Sequence, residues 1–291
     1  MNTPTVRSFF DFIGRVITVG VAYTATLIVA GSGLASVSQI AINGDGLPLL
    51  FWTFMGSLIM ALALGLAAAT ITASRPRHLI IWTTLLFGNI AAAIIRQAIL
   101  APETANTVPI LLIQQFLACV VMADAVYYFF APIKMTSPQR AHHHWTGWLG
   151  RFAAAALASV IFTFAFGAIN FSLLTQPYYP VHLHGLSMPE PQTLLTAELV
   201  RAPIVVLSLI PLLLTVHTTS NRLLVMSGLL LFVIGGITPL LWQINQLPLV
   251  LLMACGLELF AQNVTTGAAA AWLLGSYDII HHYPTPRLKN A

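Results

Sequence analysis

The feature that most restricts this chain is a set of eight apolar runs, approximately 16 to 42, 47 to 73, 79 to 101, 107 to 133, 148 to 175, 193 to 217, 222 to 246 and 249 to 276. Each is long enough to cross roughly 30 Å of bilayer hydrocarbon as a helix, which takes about 20 residues. Barrel strands are excluded, because they alternate in polarity over about 10 residues and these runs are continuously apolar. Composition agrees: 58% of the 291 residues are apolar and 7% are charged, against about 25% charged in a soluble domain. The chain is therefore expected to form an all-α, polytopic integral membrane bundle of about eight transmembrane helices. Cys119 and Cys255 both fall inside predicted spans and read as small packing residues.

Lys and Arg flanking a span resist translocation, so their positions set the orientation. Arg7, Arg15, Arg75, Arg77, Lys134, Arg140, Arg151, Arg222, Arg287 and Lys289 all fall on one side. The opposite connections, around Asp45, Glu103, Glu190 and Gln246-Leu247-Pro248, contain neither. Both termini are thus expected in the cytoplasm, with the chain in the cytoplasmic (inner) membrane. The first run exceeds the 7 to 15 residue core, approximately, of a cleaved signal peptide, so it is expected to stay as a span. Residues 1–291 read as a single membrane domain. Residues 1–15 form an amphipathic cytoplasmic segment with Phe9, Phe10 and Phe12 between Arg7 and Arg15, 16–276 the bundle, and 277–291 a cytoplasmic tail. The net charge of +4 is dispersed over short segments, so membrane lipids rather than nucleic acid are the expected partners.

A tandem repeat is suggested by local echoes. Gly14-Arg15 opens span one and Gly150-Arg151 opens span five; Ser74 and Arg77 are answered by Ser220 and Arg222, and Pro109 by Pro248. The last offset sets Asp124 opposite Asn263. The halves would be 14–133 and 150–276. With four helices each, they would share one orientation about an axis along the membrane normal.

Ionisable groups at mid-bilayer cost at least about 2.5 to 3.5 kcal/mol on insertion scales, so each needs a partner or a purpose. Five occur within the spans: Arg96, Asp124, Glu198, Arg201 and Glu258. All but Asp124 lie in the outer half. Glu198 and Arg201, at i and i+3, share a helix face, which leaves Arg96 and Glu258 as a second pair of opposite sign. Gln97, Gln114, Gln115, Asn170, Gln243 and Asn245 collect at the same level. Kinks at Pro203 and at Gly235-Gly236 with Pro239 would help to open a chamber there.

This pattern predicts an outward-facing polar chamber that binds, and in one version transports, a small anionic or amphipathic ligand. Arg96 and Arg201 would engage its negative or carbonyl end. Glu198 and Glu258 would balance the arginines or carry a coupling proton, with Gln114, Gln243 and Asn263 among the ligand-binding residues; Asp124 and Asn263 would continue a path inward, a proton path at Asp124. Other readings stay open: a quinone-binding membrane anchor of a redox complex, an intramembrane enzyme acting on lipid-linked substrates, and a structural scaffold whose charges only lock helices together. A metal version of the enzyme would use His182, His184 and Glu190 in the long connection between spans five and six. His78 and His217, at inner span ends, read as interfacial residues. The chain has no His-Glu-x-x-His, Gly-x-Ser-x-Gly, phosphate-loop, dinucleotide or Cys-x-x-Cys motif, and no cofactor is assigned. Protein subunits as partners stay unidentified.

Overall fold

The computed structural model describes residues 6–38, 46–132, 145–178, 190–216, 219–245 and 247–275. Among them the regular structure is entirely helical, and eight helices are long and apolar enough to cross a membrane. The chain is built as a multi-pass membrane protein. Helical hydrogen bonds satisfy each segment's backbone internally, which is the requirement hydrocarbon imposes.

Spans one to four are α1 (Val6–Ser38), α2 (Gly46–Ala68), α3 (Arg75–Leu100) and α4 (Val108–Phe130), with a 3-10 turn, Pro102–Thr107, joining the last two. α1 runs unbroken from Val6, so Phe9, Phe10 and Phe12 of the amphipathic segment stand on its first two turns. Phe9 and Phe10 point outward, while Phe12 packs edge-on against Phe130 of α4 at 5.5 Å, which ties this part of the helix to the bundle. Helix starts follow local chemistry. Pro76 stands in the first turn of α3 and Pro109 in that of α4, where a missing N–H costs nothing.

Span five is α5 (Trp145–Asn170), continued by a π segment at Phe171–Thr175 and a 3-10 turn at Gln176–Tyr178. Span six, α6 (Pro191–Thr215), passes through both Pro203 and Pro211 as a single helix. Span seven is divided into α7 (Ser220–Phe232), a π turn at Val233–Ile237 and a short α8 (Thr238–Trp242). The cause is local, because Pro239 has no N–H to give the carbonyl four residues back and Gly235-Gly236 lets the backbone widen. Thr238 relieves part of the deficit by donating its hydroxyl to the Val233 carbonyl at 3.1 Å. Span eight is α9 (Leu249–Leu274).

The packing has a regular plan. Span one lies on spans two and four, as span five lies on six and eight; three lies on four as seven lies on eight; two touches four as six touches eight. The two sets of four meet where α3 packs on α6 and where α2 packs on α8 and the π turn. Every one of these neighbour relations is unchanged when four is added to each span number. α3 and α6, at the centre, are the two most buried spans.

Contacts between helices are close where side chains are absent. A Cβ on Gly267 of α9 would stand 2.6 Å from the backbone of Gly228 in α7, and one on Gly228 would stand 2.9 Å from the Val264 carbonyl oxygen. Small residues allow this approach, which in lipid supplies van der Waals contact where no hydrophobic drive exists. Gly267→Ala must push two backbones apart and is expected to cost about 1–3 kcal/mol, seen as a lower unfolding midpoint in detergent. Gly14→Ala, whose position has open space around it, should leave the midpoint unchanged.

Candidate functional site

Helix geometry places the first charges. Glu198 and Arg201 are one turn apart in the first half of α6, and Arg96 lies one turn before the end of α3, which runs beside α6. Glu198 is 1% exposed and sits between two guanidiniums. Its Oε1 accepts from Arg96 Nε at 2.6 Å and its Oε2 from Arg201 Nε at 2.7 Å. Arg201 also donates from Nη2 to Thr163 Oγ1 on α5 at 3.0 Å, and its side chain is 15% exposed. Arg96 is more open, at 38%, and commits only Nε, so its Nη1 and Nη2 edge makes no hydrogen bond with the described residues.

Glu258 forms a second centre on α9. The expected pair with Arg96 does not form; Arg96 bonds Glu198. Glu258 is held instead by two amides: Asn170 Nδ2 donates to Oε2 at 2.5 Å and Gln262 Nε2 to Oε1 at 2.7 Å. Arg96 and Glu198 are near enough to act on Glu258 electrostatically. Gly167 on α5 leaves space at this point, since a Cβ there would stand 3.3 Å from Glu258 Oε1. Asn170 is buried at 7% exposure, and its Oδ1 has no hydrogen-bond partner among the described residues.

Thr163 connects the two centres. Its hydroxyl accepts from Arg201 and donates to the Ser159 carbonyl, and its own carbonyl accepts from Gln262 Nε2 at 3.3 Å. Nothing in a single threonine within an apolar run announces such a role. Gln262 was more accessible to sequence reasoning, since it stands four residues from Glu258 on the same helix face.

Other predicted site residues lie elsewhere. Gln114 donates to the Leu27 carbonyl of α1 at 2.7 Å, and the neighbouring Gln115 accepts from Tyr23 at 2.9 Å, so both serve the α1–α4 contact. Gln243 lies in the turn that closes α8, where its backbone bonds to Leu240 and Leu247. Asn263 donates to the Leu259 carbonyl at 2.8 Å and faces the Gly235-Gly236 π turn near Asn89. Asn89 in turn donates to Ser208 at 3.0 Å, which joins α3 to α6 at mid-span. Asp124 is not in this group. It accepts two bonds from Arg75 at 2.9 Å each, and Arg75 is 21 residues from Arg96 along α3, about 30 Å at the helical rise.

His182 and His184 lie outside the described residues, as does His217. Glu190 is exposed, and its backbone carbonyl accepts from Leu194 at the start of α6. No three His, Cys, Asp or Glu come together among the described residues. His78 is not the interfacial residue expected, for it is fully buried. Trp82 Nε1 donates to its Nδ1 at 3.1 Å, and its Nε2 is 3.2 Å from the Ile71 carbonyl. An indole N–H can only donate, so Nδ1 accepts and Nε2 carries the proton, which defines a neutral tautomer.

One further recess, of about 780 Å³, runs between α2 and α7. It is lined by aliphatic side chains such as Leu62, Leu66 and Val225, with Arg222 and Asn221 at one end. It lacks the converging polar groups of the α3, α5, α6 and α9 cluster, which is therefore the stronger candidate. Comparison with known proteins finds no match: no family model fits the chain, and no curated protein or solved structure is similar to it.

Removing one member of a buried ion cluster leaves the others uncompensated. Glu198→Leu is therefore expected to lower stability by about 3–5 kcal/mol. Asp124→Asn, which breaks a pair whose side chains are 59% and 41% exposed, is expected to cost less than about 1 kcal/mol. Unfolding of the two variants in the same detergent checks the contrast.

Proposed function

We propose that this protein binds a small ligand bearing an acidic group, at a polar site between α3, α5, α6 and α9 in the outer half of the cytoplasmic membrane. One observation carries the reading: Arg96 is partly exposed and presents an Nη1–Nη2 edge that bonds none of the described residues, while its Nε is held by Glu198. That edge is the part of a guanidinium that matches a carboxylate or phosphate with two parallel hydrogen bonds. Arg201, tied to Glu198 and Thr163, shapes and supports the site.

The orientation places both termini and the Arg75, Arg77 and Arg222 segments in the cytoplasm, because the basic residues gather there. Single cysteines at Thr72 and Thr104, in a background with Cys119 and Cys255 replaced by Ala, provide the check. An impermeant maleimide should label position 104 on intact cells and position 72 only after permeabilisation.

The two groups of four spans are read as a tandem repeat, supported by the neighbour plan and by one residue-level register. The Leu27 carbonyl accepts from Gln114 in the first group as the Thr163 carbonyl accepts from Gln262 in the second. Four residues on, Gly31 makes room for Gln114 as Gly167 makes room for Glu258. Along α1 and α5 the offset is that of Gly14-Arg15 and Gly150-Arg151, while Gln114 of α4 is answered by two residues of α9, Gln262 and Glu258. The Arg96–Glu198 bridge then crosses from one half to the other. An acid on the Nη1–Nη2 edge would share this guanidinium with Glu198, so the ligand and the bridge between the halves would act on one residue. Such a coupling favours transport over a locked scaffold.

The direct test uses protein in nanodiscs and a thermal-shift panel of alanine, propionate and inorganic phosphate. At least one should raise the melting temperature of the parent protein. Arg96→Leu should weaken that ligand by roughly 10- to 100-fold, the loss expected for a charge-assisted pair. Unchanged affinity in Arg96→Leu overturns the assignment.

A further inference from the structure

The acid-binding edge of Arg96 is only half of the site, and the other half has the opposite character. Glu258 accepts two amide hydrogen bonds and has no Lys or Arg donor among the described residues. A carboxylate has about four acceptor positions, so two remain. Beside it, Asn170 Oδ1 is buried and accepts no hydrogen bond from the described residues, while its Nδ2 donates to Glu258. A buried carbonyl oxygen without a donor is costly and uncommon in folded proteins. Two neighbouring residues thus keep acceptor capacity that no described residue fills.

Charge balance narrows the occupant further. Arg96 and Arg201 stand against Glu198 and Glu258, a sum of zero. A net anion entering this low-dielectric region would leave it with an uncompensated charge, which is the expensive outcome. A ligand neutral overall but carrying both signs keeps the balance. It also matches the donors on the Arg96 side and the acceptors on the Glu258 side.

We infer that the site takes a zwitterion with an N–H-bearing ammonium, its acid group on the free edge of Arg96 and its ammonium between the Glu258 carboxylate and Asn170 Oδ1. This rests on the acid-binding role of Arg96 proposed above and adds the other end of the ligand. The N–H is essential, because a quaternary ammonium offers charge to Glu258 and no donor to Asn170. Two sources share the chemistry: a free amino acid, and the headgroup of phosphatidylethanolamine.

The experiment compares ligands on the same full-length protein, so it does not depend on a variant folding. In phosphatidylcholine nanodiscs, thermal shift and calorimetry are run with alanine, leucine, propionate and glycine betaine. Native mass spectrometry of protein exchanged into equimolar phosphatidylethanolamine and phosphatidylcholine reads the lipid arm.

A free amino acid source predicts that alanine or leucine binds at least about tenfold tighter than both propionate and glycine betaine. A lipid source predicts retention of phosphatidylethanolamine over phosphatidylcholine by a similar factor. In either case Asn170→Leu and Glu258→Gln should erase the preference, while Arg96→Leu weakens binding of every probe by roughly 10- to 100-fold. Propionate equalling alanine, together with no lipid preference, overturns the zwitterion; if propionate binding still depends on Arg96, the acid-binding role stands without it. Propionate binding that strengthens steeply with acid also overturns it, since a proton on Glu258 would then be restoring the balance. Binding of no probe that depends on Arg96 overturns both.

Discussion

The carboxylate of Glu198 is the costliest group in this membrane protein to bury, and the arrangement of the centre follows from how that cost is met. Two guanidiniums approach it from different helices, one from its own turn of α6 and one from α3. Each ion alone would be prohibitive in hydrocarbon, and their mutual attraction repays desolvation only where geometry and further hydrogen bonds are good. Thr163 supplies one such bond and thereby brings α5 into the cluster. Three helices are held in register by one side chain that has almost no exposure.

A balanced lock would use all its donors, and this one does not. Among the described residues Arg96 pairs only through Nε, and Glu258 is held by amides beside an oxygen that accepts no hydrogen bond. Donors left over on one side and acceptors left over on the other are what the proposed two-ended ligand would use. The ion pair at the opposite end of α3 differs. Arg75 and Asp124 exchange two hydrogen bonds at a half-exposed position, the ordinary condition of charges where the membrane meets water.

The two groups of four spans share a neighbour plan yet carry different chemistry. Where the first uses Gln114 against Gly31, the second uses Glu258 against Gly167. The contact between α3 and α6 is close, with Gly88 against Ser208, whereas its counterpart between α2 and α7 opens into an apolar groove.

Much of the fold was legible in the sequence, because the bilayer leaves a chain few choices. Eight long apolar runs with charges between them specify helices and their approximate ends, since no other element satisfies its backbone in lipid while remaining continuously apolar. The i, i+3 spacing of Glu198 and Arg201 likewise settled that pair, which depends on a single helix. Pairing between helices was not legible. Arg96 could have faced Glu258 or Glu198 at similar depth, and only the packing of α3 against α6 decided between them. Thr163 and Gln262 acquired partners in the same way, from neighbours remote in sequence. Apolar periodicity and charge report how deep a residue lies, whereas the direction it faces around the helix axis relative to another helix is set by steric fit between surfaces, and that exists only once the bundle has formed.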